Sequence, residues 1–112
     1  MFLAGHSMGS GGTWYLGAKY ADYWKAMAPM SGPFVEQATY PWDRIRKMPI
    51  FMTEGTGATP CLEGTRVMMQ KWMKDQGFRL EYMEVDADHG RMVPLVLPAI
   101  FDFFDRQRKQ RP

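Results

Sequence analysis

Met1-Phe2-Leu3-Ala4 is a short apolar run that stops at a glycine, and within five residues, Gly5-His6-Ser7-Met8-Gly9, the chain has turned into a helix-forming stretch. The run suits a buried strand. A strand that passes at once into a helix opens a crossover to a parallel neighbour, because the helix must pack back on the sheet. The alternation then continues. Helix is expected over Gly9–Tyr20, strand over Tyr23–Met30, a short helix over Trp42–Arg46, and strands over Ile50–Thr53 and Leu80–Val85. Between the last two strands lies a loop over Glu54–Pro60 and an amphipathic helix over Leu62–Gln76. Its Met68, Met69, Trp72 and Met73 form a core-filling stripe, and Gly77 serves as its cap. Asp86–Gly90 reads as a loop, and Pro98–Gln107 as a last helix with the proline in its first turn. The fold class that follows is α/β, with about four parallel strands flanked by helices. A chain of 112 residues buries one modest core, so a single domain over 1–112 is expected.

Composition narrows the function classes. The net charge is only +2, and the basic excess gathers at Arg106, Arg108, Lys109 and Arg111, where cations suit the negative end of a helix dipole. No aromatic residues interleave with them, so a nucleic-acid partner is not expected. Cys61 is the only cysteine, which leaves no internal disulfide and no multi-cysteine metal site. No apolar run approaches the roughly 20 residues that span a bilayer, and no membrane partner is expected.

The chemistry concentrates in two places. Gly5-His6-Ser7-Met8-Gly9 has the G-x-S-x-G pattern in a strand-to-helix context, which lifts a serine hydroxyl clear of the sheet. Glycine on either side is expected to relieve crowding, and the glycines that follow to allow close approach to the neighbouring strand. The helix start presents unpaired N–H groups, that of Met8 first, to a developing oxyanion. The chain has two histidines. His6 adjoins the serine, and its expected part is packing or orienting the turn. His89 lies in Asp86-Ala87-Asp88-His89-Gly90 beyond the carboxyl end of a strand, the side of a parallel sheet where sites gather. There it can take the proton of Ser7 and return it to a leaving group. Asp86 and Asp88 are expected to serve the local turn. A different reading makes Ser10-Gly11-Gly12 a phosphate-binding turn of a flavodoxin-like binder, but the P-loop lysine is lacking.

On these residues the chain resembles an α/β-hydrolase. Gly5 through Trp14, with Ala28-Pro29-Met30-Ser31-Gly32, resembles esterases of the polyhydroxybutyrate depolymerase and feruloyl esterase group, and also prolyl-oligopeptidase-type hydrolases. Pro49-Ile50-Phe51-Met52-Thr53-Glu54-Gly55 resembles the strand that ends in His-Gly in those enzymes, and Asp88-His89-Gly90 their catalytic histidine loop. The resemblance implies a partial α/β-hydrolase fold, strands five to eight of the family order, with the N-terminal half of the fold absent. It implies no metal and no organic cofactor. Two departures stand out. Where the family carries its orienting aspartate this chain has Ala58, and Glu54 is the candidate substitute. The four earlier strands, with the loop donating the second oxyanion N–H, are expected to be missing. Met1–Ala4 would then be an apolar edge open to self-association or to a missing N-terminal half.

The expected function is that of a serine hydrolase, with a small-molecule ester or peptide as substrate and a carboxylic ester preferred. Ser7 is the nucleophile, His89 the general base and the Met8 N–H an oxyanion donor. Tyr40 and Trp42 lie where relatives line the pocket. The alternative is a non-catalytic hydrolase-like module that associates through its sheet edge.

Overall fold

The computed structural model describes residues 1–57 and 59–109. The elements run β1 (Phe2–His6), α1 (Met8–Lys19), β2 (Ala26–Met30), α2 (Trp42–Ile45), β3 (Ile50–Gly55), α3 (Thr59–Met68), β4 (Leu80–Val85) and α4 (Met92–Lys109). All strand pairs are parallel, and the sheet order is the chain order, β1-β2-β3-β4.

Side-chain alternation along the strands divides the core into two layers. Met27 of β2 and Ile50 and Met52 of β3 face one way and pack with Trp14 and Ala18 of α1, Ile45 of α2 and Met68 of α3. Ala26, Ala28 and Met30 of β2 and Phe51 of β3 face the other way, onto Met92, Val96, Ile100 and Phe103 of α4. The central strands β2 and β3 are buried throughout, whereas β1 and β4 are largely half-buried. Among the described residues β1 forms one edge of the sheet, with Ala4 exposed and Phe2 stacked on Phe104 at 4.7 Å.

Several boundaries differ from those expected. β2 starts at Ala26 because Tyr23 is held in a turn, its N–H donating to Tyr20 C=O. Glu54 and Gly55 belong to β3 rather than to the following loop, since they pair with Glu84 and Val85. The α3 helix widens into a π segment over Met69–Met73, closed by Lys74 N–H on Met69 C=O. The chain turns extended at Lys74, before Gly77 is reached, so Gly77 (φ 81°) shapes the connection rather than capping the helix.

The largest correction is α4, which starts at Met92 and holds Pro98 in its interior. Pro94 occupies the first turn, where a missing N–H costs nothing. Pro98 lies on the exposed side, while the stripe Met92, Val96, Ile100, Phe103 is buried at helical spacing. Burial of that stripe outweighs the one hydrogen bond Pro98 removes. The described cations at the end of α4 are paired: Arg106 with Glu81, and Arg108 and Lys109 with Asp105.

Candidate active site

β1 ends where His6 pairs with Met30, and Ser7 is the next residue. Its φ of 61° with ψ of −117° is rare for a side chain with a Cβ and costs about 1–3 kcal/mol. The bonds around it hold this conformation. Its N–H donates to Met30 C=O at 3.0 Å, extending the β1–β2 ladder by one bond, and its C=O accepts from Ser10 and Gly11 N–H at 2.9 and 3.3 Å, which opens α1. Met8 is the first residue of that helix, so its N–H has no acceptor one turn back.

The glycines of the turn are not equivalent. A Cβ on Gly5 would stand 2.1 Å from Gly9 O and 2.6 Å from Thr13 Oγ1, whereas one on Gly9 would meet nothing within 4 Å. Crowding therefore requires glycine before the serine and not after it. Close approach to the neighbouring strand occurs at Gly17, where a Cβ would meet the Met27 sulfur at 2.5 Å, while Gly12 faces open space and Gly11 lies against Phe34. Ser10 is buried and donates its hydroxyl to Gly32 C=O at 2.8 Å. That hydroxyl ties α1 to the end of β2, which leaves the phosphate-turn reading without its serine.

One strand over, the same geometry recurs. Ser31 follows the last residue of β2, has φ 53°, and donates its N–H to Thr53 C=O of β3 at 2.9 Å. Its buried hydroxyl lies 2.6 Å from Nδ1 of His89. His6 Nε2 lies 2.7 Å from the His89 carbonyl oxygen. A carbonyl only accepts, so His6 carries its proton on Nε2 and donates it. The two imidazoles are 4.5 Å apart, tilted by 35°.

His89 is thus seated on Ser31 and His6, and Ser7 is the chain neighbour of one and the across-strand neighbour of the other. Adjacent strands lie about 4.8 Å apart, so Ser7 and the Ser31 hydroxyl that holds the His89 ring lie at the same rim of the sheet. Among the described residues no hydrogen bond joins Ser7 Oγ to His89 or to any other group. The loop carrying His89 is closed by Asp88, whose Oδ1 accepts the Arg91 N–H at 2.7 Å at the start of α4.

Glu54 is fully buried at the end of β3, in step with Ile50 and Met52 on the α3 side. Its Oε1 accepts from Thr65 Oγ1 of α3 at 2.9 Å, and its Oε2 has no partner among the described residues. Ala58 lies outside the described residues. Tyr40 and Trp42 are bound into the core side of α1. Tyr40 donates to Trp14 C=O at 2.5 Å and Trp42 to Gln37 C=O at 3.0 Å, and Trp42 stacks on Trp72. Burial pushes the Tyr40 phenol above its usual range. A cavity of about 390 Å³ between α1 and the 34–41 segment is lined by Tyr15, Phe34, Val35 and Tyr40, and Gly11 brings it to within one helical turn of the elbow.

The sequence pointed to Ser7 and His89 but missed Ser31, which read as part of a strand-closing Ser-Gly-Pro turn, and the donor role of His6. The available signal was a polar residue directly after a wholly apolar strand, in the place Ser7 holds one strand earlier. Among the described residues no helix is long and apolar enough to cross a membrane. No group of three or more His, Cys, Asp or Glu there is placed to hold a metal ion.

No family model matches the chain, and no curated protein matches it. Among solved structures it is similar to a thermostable esterase, with a TM-score of 0.74 and 23% sequence identity. The similarity covers 94% of this chain and 30% of the esterase, so the chain spans less than a third of that protein's length. What the two share is the α/β fold, here a four-stranded parallel sheet with helices on both faces.

Proposed function

We propose that the chain is a serine hydrolase acting on carboxylic esters, or the part of one that carries the nucleophile and the base. The carrying observation is the left-handed Ser7 turn at a parallel strand end, with His89 seated on the residues beside it. In this reading Ser7 Oγ attacks the ester carbonyl while His89 Nε2 takes the hydroxyl proton. The Met8 N–H donates to the oxyanion at the positive end of α1. Collapse of the tetrahedral adduct expels the alcohol, which leaves with the proton from His89. Water then attacks the acyl-serine, gives its proton to His89, and the carboxylic acid departs as Ser7 regains a proton. Glu54 is the sequence candidate for the orienting acid; its Oε1 accepts from Thr65, its Oε2 has no partner among the described residues, and neither oxygen bonds His89. The preference for an ester over a peptide rests on the motif resemblance and on the esterase fold neighbour.

A fluorophosphonate probe followed by intact-mass measurement tests the reading. One adduct is expected per chain, absent in Ser7→Ala and strongly slowed in His89→Ala. A second reading, a non-catalytic hydrolase-like module, is favoured by the neutral partner of His89 Nδ1 and by the Thr65-bound Glu54. No adduct at any probe concentration, with the chain folded, would establish that second reading and exclude the first.

A further inference from the structure

We infer that Ser31 is the positioning residue of His89, its hydroxyl standing where an orienting carboxylate would otherwise be, with His6 clamping the loop that carries the imidazole. The inference rests on the Ser7–His89 reading above. For Nε2 to accept the proton of Ser7, the neutral ring must carry its own proton on Nδ1. That proton points at Ser31 Oγ, 2.6 Å away, and a hydroxyl has lone pairs to accept it. Ser31 is itself held on every side. It is 1% exposed, its N–H is fixed on Thr53 C=O, and its backbone sits at φ 53°, where a serine persists only when its surroundings impose it. His6 donates to the carbonyl of His89, so ring and backbone of one residue are fastened to two neighbouring strand ends.

Among the described residues no carboxylate bonds the His89 ring, which meets the Ser31 hydroxyl instead. Asp88 caps the turn through Arg91 N–H, and Glu54 receives Thr65 on the α3 side of the sheet. A hydroxyl sets tautomer and direction as a carboxylate does, but it places no negative charge opposite the imidazolium. Loss of the acid costs roughly four orders of magnitude in the serine-protease template. Hydrogen bonds between neutral groups are about half as strong as charge-assisted ones. Removing the Ser31 hydroxyl should therefore cost about tenfold to a hundredfold in the rate of the chemical step.

The test compares Ser31→Gly, Ser31→Ala and Glu54→Gln in the full chain. Glycine relieves the left-handed backbone and alanine does not, yet both delete the hydroxyl, so a purely structural role predicts that they behave differently. The first readout is the rate of fluorophosphonate labelling at Ser7, with kcat and KM for an activated ester where turnover is measurable. We expect kcat to fall about tenfold to a hundredfold in both Ser31 variants and KM to stay within about twofold. A Ser31→Gly rate equal to wild type, or a Glu54→Gln loss as large as that of the Ser31 variants, would overturn the inference.

The second readout is the ¹⁵N spectrum of the histidine rings. Neutral His89 should be protonated at Nδ1 in the wild type and lose that preference in Ser31→Gly. A wild-type ring protonated at Nε2 overturns the inference whatever the turnover. A Ser31-dependent tautomer in a chain that never labels upholds the positioning contact while refuting the hydrolase reading, so the two failures are distinguishable.

Discussion

Substituting alanine at Gly5 and at Gly9 should have opposite effects, and the contrast tests whether the elbow is built as described. At Gly5 the added Cβ would lie 2.1 Å from the Gly9 carbonyl oxygen, 2.5 Å from its carbon and 2.6 Å from Thr13 Oγ1. Two of these are backbone atoms in the first turn of α1, so rotamer changes cannot relieve them. The start of the helix has to move off β1. Overpacking a well-filled site costs about 1–3 kcal/mol, and a backbone obstacle places Gly5→Ala near the upper end, at about 3 kcal/mol. The same displacement carries the Met8 N–H and the Ser7 turn with it. At Gly9 nothing lies within 4 Å of the new methyl, and alanine exceeds glycine in helix propensity by up to about 1 kcal/mol. Urea unfolding followed by tryptophan fluorescence reads the difference, since Trp14 of α1 is buried in the core. With a slope of about 1–3 kcal/mol/M, the midpoint should drop by at least about 1 M for Gly5→Ala and hold or rise for Gly9→Ala. Equal midpoints for the two variants would refute the assignment of crowding to Gly5 alone.

Two further outcomes follow from backbone strain and burial. Ser7→Gly should abolish probe labelling yet raise stability by about 1 kcal/mol, because glycine occupies φ 61° without the penalty a Cβ brings; a destabilised variant in the same urea assay would contradict the strain. The Tyr40 phenol is held above its usual value of 10.0 by burial. Its contribution to stability is therefore fully present below pH 10 and lost as pH rises from there through the folded-state value. Thermal melts between pH 8 and 11 should show an alkaline decline that Tyr40→Phe flattens, and an unchanged decline in Tyr40→Phe would remove the phenol from the account.

The strand-to-helix turn and the parallel alternation were legible because they are local. An apolar run, a serine between glycines and a helix-forming stretch lie within twenty residues of each other. The Leu80–Val85 strand was read with its final limits for the same reason. Two of the misread boundaries are set by distant partners. Glu54 and Gly55 extend β3 only because Glu84 and Val85 are there to pair with them. Met92 starts α4 because its stripe finds Phe51, Ala28 and Met30 on the sheet, and no propensity scale would carry a helix past Pro98 without that surface. The site divides in the same way. Ser7 and His89 announce themselves by motif and loop position. The contacts that orient His89 join residues 58 and 83 apart in sequence, Ser31 in one case and His6 in the other, and no spacing rule connects them.

Ser7 and Ser31 share one construction, and its logic bears on how the site stays organised. In each case a parallel strand ends, the next N–H makes one more ladder bond to the neighbouring strand, and the backbone then turns left-handed: Ser7 on Met30, Ser31 on Thr53. The side chain leaves the sheet at a height fixed by strand pairing rather than by a loop. Because His6 faces Met30 and Met30 faces Thr53, both serines emerge at the same rim, and His89 can be fastened to both strand ends at once. A slip of one residue between β1 and β2 would send every side chain of β1 to the opposite face, moving His6 away from the His89 carbonyl and burying Phe2 on the wrong layer. The two buried layers therefore fix the His6–His89 contact as well as the fold, since Phe2 packs on Phe104 from the same face of β1 that carries His6. Loosening that edge, as in Phe104→Ala, should weaken the His6–His89 contact before it unfolds the central strands, whose burial is complete.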